Sequence, residues 1–107
     1  MPIKHEFIFK TVVRGSSNIE TPTTITSELE TLKKDAFNST QTSDAKFIIL
    51  IQKTRGVVSD GGIDIEGKLS PTQEKSASVI HDLALKAVTG NGDDKGKIKI
   101  VFVFKKG

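Results

Sequence analysis

Two runs of five consecutive apolar residues constrain this chain more than anything else in it: Phe47–Ile51 in KFIILIQK and Ile100–Phe104 in KIKIVFVFKK. A run of five is far too short to span a bilayer, which takes about 20 apolar residues as a helix. It is also too uniform for an amphipathic helix, whose apolar positions recur every three or four residues. Ile, Val and Phe dominate both runs, and these side chains suit a pleated surface. A strand that is apolar on both faces needs cover on both faces, so each run is expected near the centre of a sheet.

The rest of the chain supplies partners for such a sheet. HEFIFKTVVRG, residues 5–15, reads as a first strand halted by Gly15-Ser16-Ser17-Asn18. In TSELETLKKDAF, residues 26–37, Ser27 and Glu30 have the spacing of a capping box, and Leu29, Leu32, Ala36 and Phe37 fall towards one helical side. Glu28 and Glu30 come early and Lys33 and Lys34 late, as the helix dipole favours. NSTQTSD then breaks the pattern ahead of the second strand, KFIILIQKTRG. In VVSDGGIDIEGKL, Gly61-Gly62 reads as a turn, and Ile63 and Ile65 alternate with Asp64 and Glu66 as in a short edge strand. Ser70, Pro71 and Gln73 form the clearest helix start: an N-cap, a proline at the first helical position and a reciprocal glutamine. That helix is expected to run to about Val88, with Ile80, Leu83, Ala84 and Ala87 inward and Gly90 as its stop.

The order β-α-β-β-α-β over residues 1–107 predicts a single α+β domain. It would be a two-layer sandwich, with an about four-stranded, mainly antiparallel sheet and two helices on one face. The order resembles the ferredoxin-like split βαβ arrangement, which implies an interior position for the third strand. IDIEG is poorly suited to that position, so an edge hairpin of residues 57–69 with the second strand is the competing topology.

Alternation along a strand assigns faces. Phe7, Phe9, Val13, Phe47, Ile49, Ile51, Ile98, Ile100, Phe102 and Phe104 share the parity expected to meet the helices. The opposite face holds Ile8, Val12, Ile48, Leu50, Val101 and Val103 in its middle, with Lys10, Arg14, Lys97, Lys99 and Lys105 towards its ends. With two helices placed on the other side, nothing in the predicted elements covers these six aliphatics. Apolar patches of several hundred Å² seldom stay exposed on monomers.

Charge follows the strands. The formal net charge is +3, yet the strand runs and their flanks, residues 4–14, 46–55 and 95–106, carry eleven of the sixteen Lys and Arg against one acid, Glu6. Lysines beside an aggregation-prone strand act as gatekeepers against edge pairing. The same cations could contact phosphates, with Lys10, Arg14, Lys53, Arg55, Lys97 and Lys99 as the anion- or nucleic-acid-binding set. Proteins that read single strands on a sheet stack bases on exposed aromatics. This chain has no Trp or Tyr, and its strand phenylalanines have inward parity.

Catalytic material is sparse. The absence of cysteine excludes disulfide and thiol chemistry. Of the two histidines, His5 lies near the start of the first strand, and His81 adjoins Asp82 on a helix, where neighbours point about 100° apart. Asp64 and Glu66 share a strand face that Asp60 could reach across a glycine turn; such carboxylates can hold Mg²⁺ or Ca²⁺, but solvated edge strands carry the same pattern. GNGDDKG, residues 90–96, lacks the alternating ligands of a calcium loop. No catalytic residue, metal or cofactor is assigned.

The sequence therefore points to a small, non-catalytic binding, assembly or inhibitory module. It would associate through Ile8, Val12, Ile48, Leu50, Val101 and Val103, most simply with a second copy of itself, and a nucleic-acid-binding module is the alternative. Met1–His5 shows no apolar signal core, so the expected compartment is cytoplasmic, without membrane association.

Overall fold

The computed structural model describes residues 7–13, 23–38, 43–92 and 94–104, with the backbone alone for the first strand and part of the first helix. The elements are β1 (Phe7–Val13), α1 (Thr23–Asn38), β2 (Ala45–Thr54), β3 (Val57–Gly67), α2 (Pro71–Thr89) and β4 (Gly96–Phe104). The fold is α+β. Strands β3, β2 and β4 form an antiparallel sheet, and β1 runs antiparallel along the outer side of β4, giving the order β1-β4-β2-β3.

This order departs from the ferredoxin-like arrangement. The third strand is not interior: β3 is an edge, and the two five-residue apolar runs, in β2 and β4, take the centre. Because β4 is antiparallel to both β1 and β2, those two strands are parallel and their crossover straddles β4. By the same logic β3 and β4 are parallel and straddle β2. Composition decides between the arrangements. β3, with Ser59, Asp60, Asp64 and Glu66, is polar and suits an edge, whereas the apolar runs of β2 and β4 suit strands flanked on both sides.

The β2–β3 hairpin turns on two residues, Arg55 and Gly56, both left-handed at φ 52° and 77°. That is the backbone of a type I′ turn, whose twist matches that of the flanking strands. Gly61-Gly62, expected as a turn, lies inside β3. The register passes from Ile49↔Ile63 to Ile51↔Asp60, so two glycines oppose Leu50 in a β-bulge. Gly62 takes φ 72°, a conformation glycine adopts without the Cβ penalty.

One face of the sheet is core. Ala45, Phe47, Ile49 and Ile51 of β2 and Ile98, Ile100, Phe102 and Phe104 of β4 are buried in strict alternation. Phe47 and Phe102 stack with centroids 5.7 Å apart, and Phe104 tilts onto Phe102 at 4.8 Å. The helices complete the cluster with Ile25, Leu29 and Leu32 from α1 and Ala77, Ile80, Ala84 and Val88 from α2. In α2 the Ser70 side chain accepts from the Gln73 N–H while Gln73 Oε1 accepts from the Ser70 N–H, closing the expected capping box. The start of α1 differs from expectation. It begins at Thr23, and Ser27 sits exposed inside the helix, its carbonyl accepting from Thr31 Oγ1 at 3.0 Å. Ile25 explains the extra turn, because it is fully buried and lies four residues before Leu29 on the same stripe.

Candidate functional site

The antiparallel register builds the second face of the sheet row by row. Lys97 pairs with Gln52, Lys99 with Leu50, Val101 with Ile48 and Val103 with Lys46. Towards the β3 edge the rows continue from Ile48 to Asp64 and from Lys46 to Glu66. Directly opposed residues have Cβ atoms about 5 Å apart, so Ile48, Leu50, Val101 and Val103 form one contiguous block on the two central strands. All four are half-buried, against full burial for their neighbours on the helix side. Beside them Lys46, Lys97 and Lys99 are half-buried too, as lysines are when their methylene stems lie along apolar surface with the ammonium in water.

Charge on this face is ordered. Lys97 and Lys99 lie on β4, and Asp64 and Glu66 lie on the β3 edge. Lys46 Nζ meets Glu66 Oε2 at 3.1 Å across β2 and β3. A shallow cleft opens at this end of the sheet, lined by Asp44, Lys46, Glu66, Gly67 and Val103.

The remaining residues of the expected association face sit on β1. Ile8 is in register with Val103, Lys10 with Val101 and Val12 with Lys99, which continues the same rows to the other edge. Arg14 and Lys105 lie outside the described residues. The six cations of the expected anion site do not form one cluster. Lys53 has the parity of the helix side, and its Nζ donates to the Asn91 carbonyl at 2.7 Å. Arg55 occupies the hairpin turn. Lys97 and Lys99 alone share the open face among the described members of the set, with Lys10 beside them by register. Phe47, Phe102 and Phe104 are buried beneath the helices, so none of these rings is available for a base to stack on.

The carboxylate trio separates as well. The bulge at Gly61-Gly62 puts Asp60 on the helix side, away from Asp64 and Glu66, and there it meets His81 of α2. His81 Nε2 donates to the Asp60 carboxylate, 2.8 Å from both oxygens, and Gly62 N–H donates to Asp60 Oδ1 at 2.8 Å. On the other side of the ring, Nδ1 lies 3.5 Å from Asp82 Oδ1. No local spacing announces the 60–81 pair, because its members lie on separate elements and the bulge sets the register. With a carboxylate facing each ring nitrogen, the histidine ties α2 to the β3 edge. Among the described residues no group of three or more His, Cys, Asp and Glu is arranged to hold a metal ion.

The histidine hydrogen bond, with help from the Gly62 N–H, holds the Asp60 carboxyl below the usual carboxylate range. A depressed folded-state pKa stabilises the fold above the unfolded value and loses that contribution as pH falls through the folded value. Asp60→Asn is therefore expected to lower stability at neutral pH by no more than about 1 kcal/mol, as for a partly exposed pair. The gap between variant and parent should close as the medium is acidified below the carboxylate range. Urea titrations at neutral and acid pH measure it, and a constant gap would remove the tie.

No helix among the described residues is long and apolar enough to cross a membrane. Comparison with protein-family models, with curated proteins and with solved structures gives no match for this chain.

Proposed function

We propose that this protein is a non-catalytic assembly module that pairs with a second copy of itself through the open face of its sheet. The observation that carries this reading is the block Ile48, Leu50, Val101 and Val103, contiguous on the two central strands and turned away from both helices. The whole face, four strands wide at about 4.8 Å per strand and seven residues long at about 3.4 Å per residue, has a flat area of roughly 450 Å², of which the two central strands make up about half. Side-chain relief enlarges that figure towards the roughly 800 Å² per partner found in stable complexes.

Charge favours one arrangement. An isologous face-to-face pair has its two-fold axis in the plane of the interface. An axis perpendicular to the strands would lay β3 on the partner's β3 and crowd Asp64 and Glu66 against their own copies. An axis parallel to the strands, between β2 and β4, lays Ile48 over the partner's β4 near Val101. It also carries the acidic β3 edge over the partner's β1, where Lys10 stands in the register. Opposite potentials then meet at both rims.

Light scattering over a concentration series, at low and high salt, tests the reading. A dimer that persists in high salt is expected, and Leu50→Lys and Val101→Lys should each give a folded monomer. A parent protein that stays monomeric throughout overturns the proposal. Variants that lose their fold would show instead that the face is internal core. The nucleic-acid alternative has its own signature, binding that weakens steeply with salt. The separation of Lys53 from Lys97 and Lys99 and the burial of the phenylalanines give it less support.

A further inference from the structure

We propose that Asn91-Gly92, in the loop joining α2 to β4, is a site of spontaneous deamidation whose isoaspartyl product releases the Gly56 turn of the β2–β3 hairpin from that loop. Two hydrogen bonds make the latch. Lys53 Nζ donates to the Asn91 carbonyl at 2.7 Å, and the Gly56 N–H donates to the Asp94 carbonyl at 2.9 Å. The loop thus holds both the end of β2 and its turn.

The chemistry needs only water. The Gly92 amide nitrogen gives up its proton and attacks Cγ of Asn91. The N–Cγ bond forms, the Cγ–Nδ2 bond breaks, and Nδ2 leaves as ammonia with a proton returned by solvent. The resulting five-membered imide adds water at either carbonyl and opens to an aspartyl or an isoaspartyl residue. No electron changes hands.

Three features select this position. Of the three asparagines, Asn18, Asn38 and Asn91, the last alone precedes a glycine, whose missing Cβ removes the obstacle to attack and frees the backbone to rotate. Gly92 is exposed, and a Cβ built on it would meet nothing within 4 Å, so the ring can close into open space. Asn91 is only half-buried, so water reaches the imide. The comparable Asp60-Gly61 sequence is differently placed: it lies inside β3 with its carboxylate 2.8 Å from His81 Nε2, whereas the Asn91 side chain sits in an exposed loop, its Nδ2 donating to the Lys95 carbonyl at a long 3.3 Å.

The isoaspartyl form routes the main chain through the former side chain. It adds one methylene to the loop and turns the carbonyl that Lys53 grips into a carboxylate, so that contact persists as an ion pair while the chain beyond it is lengthened. The Asp94 carbonyl is then displaced from the Gly56 N–H.

The test is to incubate the intact protein at mildly alkaline pH and follow it by peptide mapping, an isoaspartate-specific methylation assay and amide hydrogen exchange. Expected are conversion at Asn91 but not at Asn18 or Asn38, conversion slowed severalfold in Gly92→Ala, and faster exchange of the Gly56 amide in the converted fraction. If the folded protein keeps its amide while the urea-unfolded chain loses it, the loop protects the site and the proposal fails. Conversion that leaves Gly56 exchange unchanged would refute the release of the turn.

Discussion

Phe102→Ala is expected to cost about 3–5 kcal/mol, a large part of the 5–15 kcal/mol by which a domain of this kind is stable. Phe102 is 1% exposed, stacks on Phe47 across the β4–β2 ladder and leans on Phe104 two residues along its own strand. The sheet has a strand on each side of β4, so it cannot close over the void. Poor collapse puts a large-to-small substitution at the upper end of its range. Phe102→Leu keeps most of the volume and should lose considerably less. The control is the neighbouring Val101→Ala, which alters a half-buried side chain on the other face and should cost about 0.5–1.5 kcal/mol. Urea midpoints, measured at protein concentrations low enough to exclude association, compare the three. Equal losses at 101 and 102 would refute the division of β4 into a core face and an open face.

That division was legible in the sequence because parity is a local property. Once Ile98–Phe104 is read as a strand, the alternation of side chains separates Ile98, Ile100, Phe102 and Phe104 from Val101 and Val103 with no knowledge of neighbours. The start of α2 was legible for the same reason, since Ser70, Pro71 and Gln73 act on each other within one helical turn. Strand order was legible only in part: the edge hairpin of residues 57–69 with the second strand, the competing topology, is the one the structure has, but the places of β1 and β4 could not be read. It depends on which strands tolerate burial on both edges, and the decisive evidence, the polar character of β3, conflicted with a familiar element order. The start of α1 was misplaced because a plausible capping box at Ser27 competed with Ile25, and burial of Ile25 prevailed.

The candidate site divides along the same line. Ile48, Leu50, Val101 and Val103 were found by parity, and the register confirms that they adjoin one another. The cation set is split because Lys53 has the parity of Phe47 and Ile51 and belongs on the helix side, while Arg55 sits in the hairpin turn. The Asp60–His81 tie was invisible for a different reason. Two adjacent glycines read equally well as a turn or as a bulge, and only the bulge reverses the face of Asp60.

A second large effect is expected from Gly67→Ala, at least about 2 kcal/mol of lost stability, combining left-handed strain with a backbone collision. Gly67 closes β3 at φ 76°, in register with Ala45. A Cβ added there would stand 2.3 Å from the Asp44 carbonyl oxygen and 3.0 Å from the Ala45 Cα. Both are main-chain atoms, so no side-chain rotation relieves the contact and the strands themselves must part. Gly56→Ala separates the two contributions. Gly56 has nearly the same φ, 77°, but a Cβ there meets nothing within 4 Å, so it should lose only about 1–2 kcal/mol of conformational strain. Chemical denaturation of both variants gives the comparison, and equal losses would mean that β2 and β3 do not approach closely at Gly67. The larger loss would also reach the proposed association face. Parting the strands at Gly67 pulls Glu66 from Lys46 and shifts Asp64 from Ile48, so the acidic rim moves out of line with the aliphatic block. Gly67→Ala should therefore weaken self-association at concentrations where the variant is still folded, while Gly56→Ala, at the far end of the same hairpin, should leave it unchanged.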